Sequence, residues 1–225
     1  MNKKEQEILE LLKNKSAAKQ EIYRTTLAVF KDFKTALRTM QQELAKEVTD
    51  TFVEIKYMEV SEFEAHFKFS GDTLVFMMHT NVFGFPEGHY AKDNNYVKDD
   101  EMRGYCGMIQ IYNFLSDSIK YNREEDLGEL VCRIFVNKDQ HFFIEGKRPL
   151  SIHHNNFESE KITTEKIKGI IEESIFYCLN FDLITPPVEM VQNITVDQKN
   201  YQSYSSGFAT GKNPSIGFQL KNQLE

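Results

Sequence analysis

Apolar residues recur at steps of three and four through the first 48 residues, and from residue 53 the period changes to two. A helical stripe followed by strict alternation commits a chain to a mixed architecture, in which an amphipathic helix and one face of a sheet bury each other. The helical part is clearest at Phe30, Phe33, Leu37, Met40, Leu44 and Val48, with Lys31, Asp32, Lys34, Arg38, Gln41 and Glu43 on the faces between. Ile8, Leu11 and Leu12 begin a similar stripe earlier, and Asn14, Lys15 and Ser16 mark a place for a break. From Ser16 to Val48 a straight helix spans roughly 50 Å at about 1.5 Å per residue. That exceeds the width of a small domain. Two outcomes follow: a helix kinked at 14–16 whose pieces both pack on the core, or a stripe that projects and associates with a second chain.

The alternating part begins with Val53, Ile55 and Tyr57 and continues with Phe63, Ala65, Phe67 and Phe69. Ser70, Gly71 and Asp72 then read as a tight turn, with Gly supplying a positive φ, into a third strand from Thr73 to Thr80. A two-residue loop at Gly71 and Asp72 sets Phe67 opposite Phe76 and Glu64 opposite His79. Residues 84 to 104 are polar and rich in turn formers, a long loop of the kind that is commonly functional or mobile. After Gly107 the apolar positions Met108, Ile111, Tyr112, Leu115 and Ile119 predict a helix ending near Asn122. Strands follow at 130–136 and 141–145. A helix opened by Thr163 or Thr164 then faces Ile167, Ile170, Ile171, Ile175 and Cys178 inward and stops by Pro186 and Pro187.

The expectation is an α+β fold: an antiparallel sheet of about five strands flanked by helices, in the order α-β-β-β-α-β-β-α, with a long N-terminal amphipathic helix. Residues 1–48 form that helix, 49–187 the core domain, and 188–225 a polar, flexible or loosely docked tail. At 225 residues, with 18 Phe, 10 Tyr and no Trp, the chain can fill one substantial aromatic core.

Charge and cysteine usage narrow the function classes. Thirty-four acidic against 27 basic residues leave a net charge of −7, which argues against a nucleic-acid surface. No stretch approaches the roughly 18 consecutive apolar residues of a membrane span, and the N-terminus lacks the apolar region of a signal peptide. Cys106, Cys132 and Cys178 are far apart, odd in number and in apolar settings, as in a reduced, cytoplasmic compartment. The sequon at Asn193, Ile194 and Thr195 is accordingly read as chance.

In its order of elements the stretch from about 16 to 182 resembles the type III secretion chaperones. That resemblance implies a small, acidic, cytosolic dimer holding a partner's unfolded segment along its surface. The stretch from Arg103, Gly104, Tyr105, Cys106 and Gly107 through Glu145, Gly146, Lys147 and Arg148 is similar to uncharacterised proteins of Bacteroidetes, a likeness that carries no activity.

Candidate chemistry is sparse. Glu54-Ile55-Lys56 is similar to the catalytic end of the PD-(D/E)xK nucleases, where carboxylates hold Mg²⁺ and the lysine orients water. Asp50 lies too close for the usual hairpin, and a solvent-facing pair flanking a core Ile explains the triplet as well. In the expected register Glu64, His66 and His79 share one face of the meander, the donor set for Zn²⁺ or Fe²⁺ if that face lines a pocket. A polar, water-facing surface explains them equally. His153 and His154 are adjacent and make a poor chelate. Cys106 precedes the expected helix at 108, and a helix N-terminus favours thiolate, with His141 or His89 as the base; a buried, inert thiol is the plainer account. Lys147 and Arg148 beside Gly146 form a candidate phosphate or carboxylate grip. No nucleotide, dinucleotide or hydrolase motif is present, and no cofactor is implied.

The reading that follows is a non-enzymatic, cytoplasmic protein-binding module, an adaptor or chaperone-like protein that self-associates as a homodimer through Phe30, Phe33, Leu37, Met40 and Leu44. The alternatives are a metal-dependent hydrolase or nuclease, and a small-molecule sensor with its ligand between the sheet and the helix at 108–122.

Overall fold

The computed structural model of the chain describes residues 1–183, 185, 187–197 and 199. Asn2 caps the first helix reciprocally: its Oδ1 accepts the Glu5 amide at 2.9 Å, and the Glu5 carboxylate accepts the Asn2 amide at 2.8 Å. α1 (Lys3–Leu11) runs through a π-helical turn (Leu12–Ser16) into α2 (Ala17–Glu47). The break expected at 14–16 is therefore a local widening of one continuous helix.

Six strands follow: β1 (Ile55–Ser61), β2 (Glu64–Phe69), β3 (Asp72–Gly84), β4 (Tyr105–Leu115), β5 (Glu129–Val136) and β6 (Phe142–Gly146). They pair antiparallel in sequence order as a single sheet. The loop between β3 and β4 carries α3 (Asn95–Lys98) and a 3₁₀ turn (Glu101–Gly104). α4 (Ser116–Lys120) follows β4, α5 (Leu150–His153) follows β6, and α6 (Thr164–Leu179) closes the core. The expected α+β fold, with its antiparallel sheet, flanking helices and long N-terminal helix, is the fold observed.

Two local expectations are corrected. The segment at 108–122 is chiefly a strand, β4, and only Ser116–Lys120 is helical. Cys106, Gly107, Met108, Ile109, Ile111 and Asn113 are all buried, because β4 is an inner strand covered on both faces. The β2–β3 register also differs: Phe67 faces Leu74, Ala65 faces Phe76 and Glu64 faces Met77. The turn is Ser70-Gly71, and Ser70, not Gly71, holds the positive φ of 56°. A shift of two preserves which face each side chain takes, so the aromatic face still lies on the core.

That inner face carries Phe67, Leu74, Phe76, Ile109, Ile111, Ile134 and Phe142, and α2 and α6 lie on it. Thr163 caps α6, its Oγ1 accepting the Lys166 amide at 3.3 Å, and the expected inward row Ile167, Ile170, Ile171, Ile175 and Cys178 is buried. The helix ends at Leu179, before the prolines. Over β4–β6 the opposite face carries a second core in which Met108, Phe135 and Phe143 meet Ala91, Val97 and Phe157 from the loops. The tail expected from residue 188 lies largely outside the described residues; within it Val188–Val191 forms a single helical turn, α7. No helix among the described residues is long and apolar enough to cross a membrane.

Candidate functional site

The N-terminal helix divides into two unlike parts. From Ile22 to Met40 its inward row is buried, with Ile22, Phe30, Phe33 and Leu37 at 0 % exposure. Residues 1–15 are exposed without exception. Ile8, Leu11 and Leu12 show 56 %, 59 % and 56 % of their surface to solvent, and Leu9 shows 38 %. Ile8, Leu11 and Leu12 sit at i, i+3 and i+4, so they make one apolar patch on one side of the helix.

Charges of both signs surround this patch, and Lys3 and Lys4 open α1. Glu5, Glu7 and Glu10 lie in α1, whereas Lys13, Lys15 and Lys19 lie in the π turn and the first turn of α2. The two lysines nearest the sheet lean on Tyr105 at the start of β4, with Nζ of Lys15 and Lys19 at 5.4 and 5.0 Å from its ring centroid. Tyr105 also lines an open cleft of about 570 Å³, together with Gly84, Phe85, Val97 and Gly104. Its rim carries both signs, and Lys92 pairs with Glu87 at 3.9 Å and Lys98 with Asp93 at 3.5 Å. Mixed charges already paired to each other leave no strong field for a charged small ligand.

The loop at 84–104 is held by a polar network. Asp139 accepts from Tyr96 Oη and Arg103 Nε, both at 3.0 Å, and Asn137 Nδ2 donates to Tyr96 Oη at 3.0 Å. The Arg103 guanidinium lies 4.5 Å from the Tyr96 ring centroid, the His141 ring stacks on Tyr96 at 4.5 Å, and Phe157 meets it edge-on at 5.8 Å. Burial, with the Asp139 charge beside it, pushes the Tyr96 phenol up to about 12. These groups satisfy one another and anchor the loop.

The residues singled out from the sequence fall as follows. Phe30, Phe33, Leu37 and Met40 belong to the chain's own core, Met40 at 6 % exposure, and Leu44 is 38 % exposed. That part of the stripe is already covered by the sheet and α6. Glu64 and His66 meet, with Oε1 and Nε2 2.6 Å apart. His79 stands opposite Met108 on β4 and packs against Phe83, beyond the end of β2. The three donors are thus not gathered, and no group of three or more His, Cys, Asp or Glu among the described residues is placed to hold a metal ion. Glu54 is exposed and bonded to Lys68, whose ammonium holds its carboxyl below the usual range. Asp50 accepts the Phe52 amide at 2.9 Å in the turn before β1.

Cys106 lies within a strand, so the helix N-terminus expected to activate it is not there. It is fully buried, and burial pushes its thiol well above the usual range. His89 is bonded to Glu145 at 3.1 Å and to the Ala91 amide at 3.2 Å, and His141 to the Phe157 carbonyl at 3.0 Å. Neither is placed as its base. Lys147 reaches Glu129 at 2.7 Å, and Arg148 beside it is exposed. His153 bonds Glu173 at 2.9 Å on the surface. The Tyr96–Arg103–Asn137–Asp139 network has no sequence signal, because its members are scattered over some forty positions.

No protein-family model matches the chain, and no curated protein or solved structure shows significant similarity to it.

Proposed function

We propose that this chain is a protein-binding module, adaptor or chaperone-like in role and cytoplasmic in setting, whose docking element is the helical extension at residues 3–16. The supporting observation is that this extension is helical, capped and apolar on one side, yet has no buried residue. Ile8, Leu11 and Leu12 expose more than half of their surface on one side of this helix, the kind of apolar stripe that a groove or a helix of a protein partner covers. The sheet-covered part of the stripe, which includes Phe30 and Phe33, then serves as the anchor from which the docking part projects.

The test is a photoreactive amino acid placed at Leu12 in the full chain inside cells, with the same group at the exposed Glu172 as control. The expected result is a discrete protein adduct from position 12 that disappears when Ile8→Glu and Leu11→Glu are added. Adduct formation no greater at 12 than at 172 would end this reading.

A further inference from the structure

We propose that the free edge of β1 is a second docking surface, which takes an extended, acidic segment of another polypeptide as an added strand beneath the end of α2. This surface is separate from residues 3–16 and does not depend on the reading given to them.

The two edges of the sheet are unlike. Along β6 the edge is already taken: the Phe142 amide donates to the Glu160 carbonyl at 3.1 Å, and the Ile144 amide to the His154 carbonyl at 2.9 Å. Along β1 the direction of bonding follows from both sides of β2. The Ser70 amide donates to the Glu54 carbonyl, and the Met78 amide to the Phe63 carbonyl, each at 2.9 Å. Antiparallel bonding alternates. Lys56 and Met58 therefore bond β2 opposite Lys68 and His66, while Ile55, Tyr57 and Glu59 turn their amides and carbonyls outward. Among the described residues none donates to or accepts from those six groups. Such a row is a template for one more strand.

α2 supplies a roof over that position. It seats Thr26 over Gly107 of β4 and Arg38 over Tyr57 of β1, three strand spacings away. Three spacings are about 14 Å, and the helix rises about 18 Å between those residues, so each strand takes about 6 Å of helix. From Arg38 to Glu47 it rises about 14 Å more, enough to cover about two further strands. Leu44 continues the buried row of Phe33, Leu37 and Met40 past the edge, and Val48 follows as the C-cap; they are 38 % and 36 % exposed. Inward side chains of an added strand face this apolar end of the helix, so apolar side chains fit there.

Charge names the alternate side chains. On the outer face Lys56 stands directly opposite Lys68, whose ammonium is held by Glu54. Like charges opposed across strands cost free energy, and an acidic residue beside Lys56 on an added strand relieves that cost. The same lysine disfavours a second copy. Only the register centred on Tyr57 pairs the three free residues of two copies with one another. It sets their Lys56 side chains on a diagonal, about 7–8 Å apart, with a Lys68 beside each.

The probe is a short peptide in which valine alternates with threonine around a central glutamate, added at about 1 mM to the full chain. In the free protein the amides of Ile55, Tyr57 and Glu59 are expected to exchange with solvent much faster than those of Lys56 and Met58, and the peptide should slow all three about tenfold or more. By fluorescence anisotropy, Lys56→Glu is expected to weaken this peptide about fivefold and to favour its lysine-centred counterpart. Leu44→Glu should weaken both peptides; each of these positions is exposed, so both variants should fold. Three amides already slow in the free protein would show that the chain covers its own edge. Slowing that grows with protein concentration alone would place a second copy there. Either result, no slowing by the peptide, or an unaltered preference in Lys56→Glu would overturn the proposal.

Discussion

Replacing Gly107 by alanine probes how closely the long helix is seated on the sheet. Gly107 lies on the helix-covered face of β4, opposite Val136. A Cβ there would stand 2.1 Å from Thr26 Oγ1, 2.7 Å from its Cβ and 2.8 Å from its Cγ2. Thr26 has no room to yield by rotation, being fully buried with its hydroxyl donating to the Ile22 carbonyl at 2.8 Å. Carbon contacts are best at about 3.5–4.0 Å, so α2 must lift by about 1 Å, and a gap of that size forfeits about a quarter to a half of each contact beneath it. Phe30 and Phe33 lie in the next turns and lose part of their cover. The expected cost is about 2–3 kcal/mol, at the upper end for overpacking. Thr26→Gly removes all three close atoms, at about 1 kcal/mol for glycine within a helix. The double variant should therefore be at least about 1 kcal/mol more stable than the sum of the single changes. Urea unfolding at unchanged slope measures each corner of the cycle. A Gly107→Ala protein within about 0.5 kcal/mol of wild type, or an additive cycle, would refute the close seating.

The two ends of the helix should respond oppositely to truncation: Phe33→Ala, at 0 % exposure, is expected to cost about 3–5 kcal/mol, and Ile8→Ala, at 56 % exposure, to change monomer stability by less than about 0.5 kcal/mol. Urea midpoints at low concentration separate them, and equal losses would contradict the division of the stripe. All three cysteines are free and buried, so a thiol reagent should label none of them in the native protein and all three in denaturant; fast native labelling would show that β4 opens readily. His154 supplies the pH dependence, because burial holds its pKa below the usual 6.5. Above about 6.5 it is neutral in both states, and below that the unfolded chain takes a proton the folded one resists, so stability falls as pH drops from about 6.5 towards the folded value. His154→Gln should flatten this part of the curve, and a variant whose urea midpoint falls as steeply as wild type between about pH 6.5 and 5.5 would exclude burial as the cause.

β1 and β2 were legible because one face of each carries mainly polar side chains. In β2 the apolar Ala65, Phe67 and Phe69 alternate with Glu64, His66 and Lys68, and period two follows from that asymmetry. β4 has no wet face over most of its length: Gly107, Ile109 and Ile111 turn to the helices, while Cys106 and Met108 turn to the loop core. An inner strand covered on both sides reads as a continuous apolar run, in which a spacing of three and four is found as easily as one of two. The β-branched Ile109 and Ile111 were the residues that favoured strand. The β2–β3 register was missed for another reason. Ser-Gly-Asp offers two adjacent two-residue loops, and both keep the aromatic face inward, so burial alone does not choose between them.

The exposed N-terminal stretch of the long helix was half legible, and the missing half is geometric. Periodicity marked the whole stripe from Ile8 to Val48 as apolar, and the expectation placed the association surface at its strongest part. Yet the strongest part is the one a sheet takes for itself. α2 touches β1 through β5, so it crosses the strands, and neighbouring strands lie about 4.8 Å apart. Five strands therefore offer about 20 Å between their axes, somewhat more with side chains. Ile22 to Met40, the buried stretch, rises about 27 Å at 1.5 Å per residue. A helix running from Lys3 to Glu47 is about 67 Å long on the same scale and must overhang. The covered stretch buries Ile22, Val29, Phe30, Phe33, Leu37 and Met40, while Ile8, Leu9, Leu11 and Leu12 stand on the N-terminal overhang among Glu and Lys. Once the strand count is known, the sheet's width implies apolar residues left uncovered at both ends of the helix, and they are Ile8, Leu9, Leu11 and Leu12 at one end and Leu44 at the other.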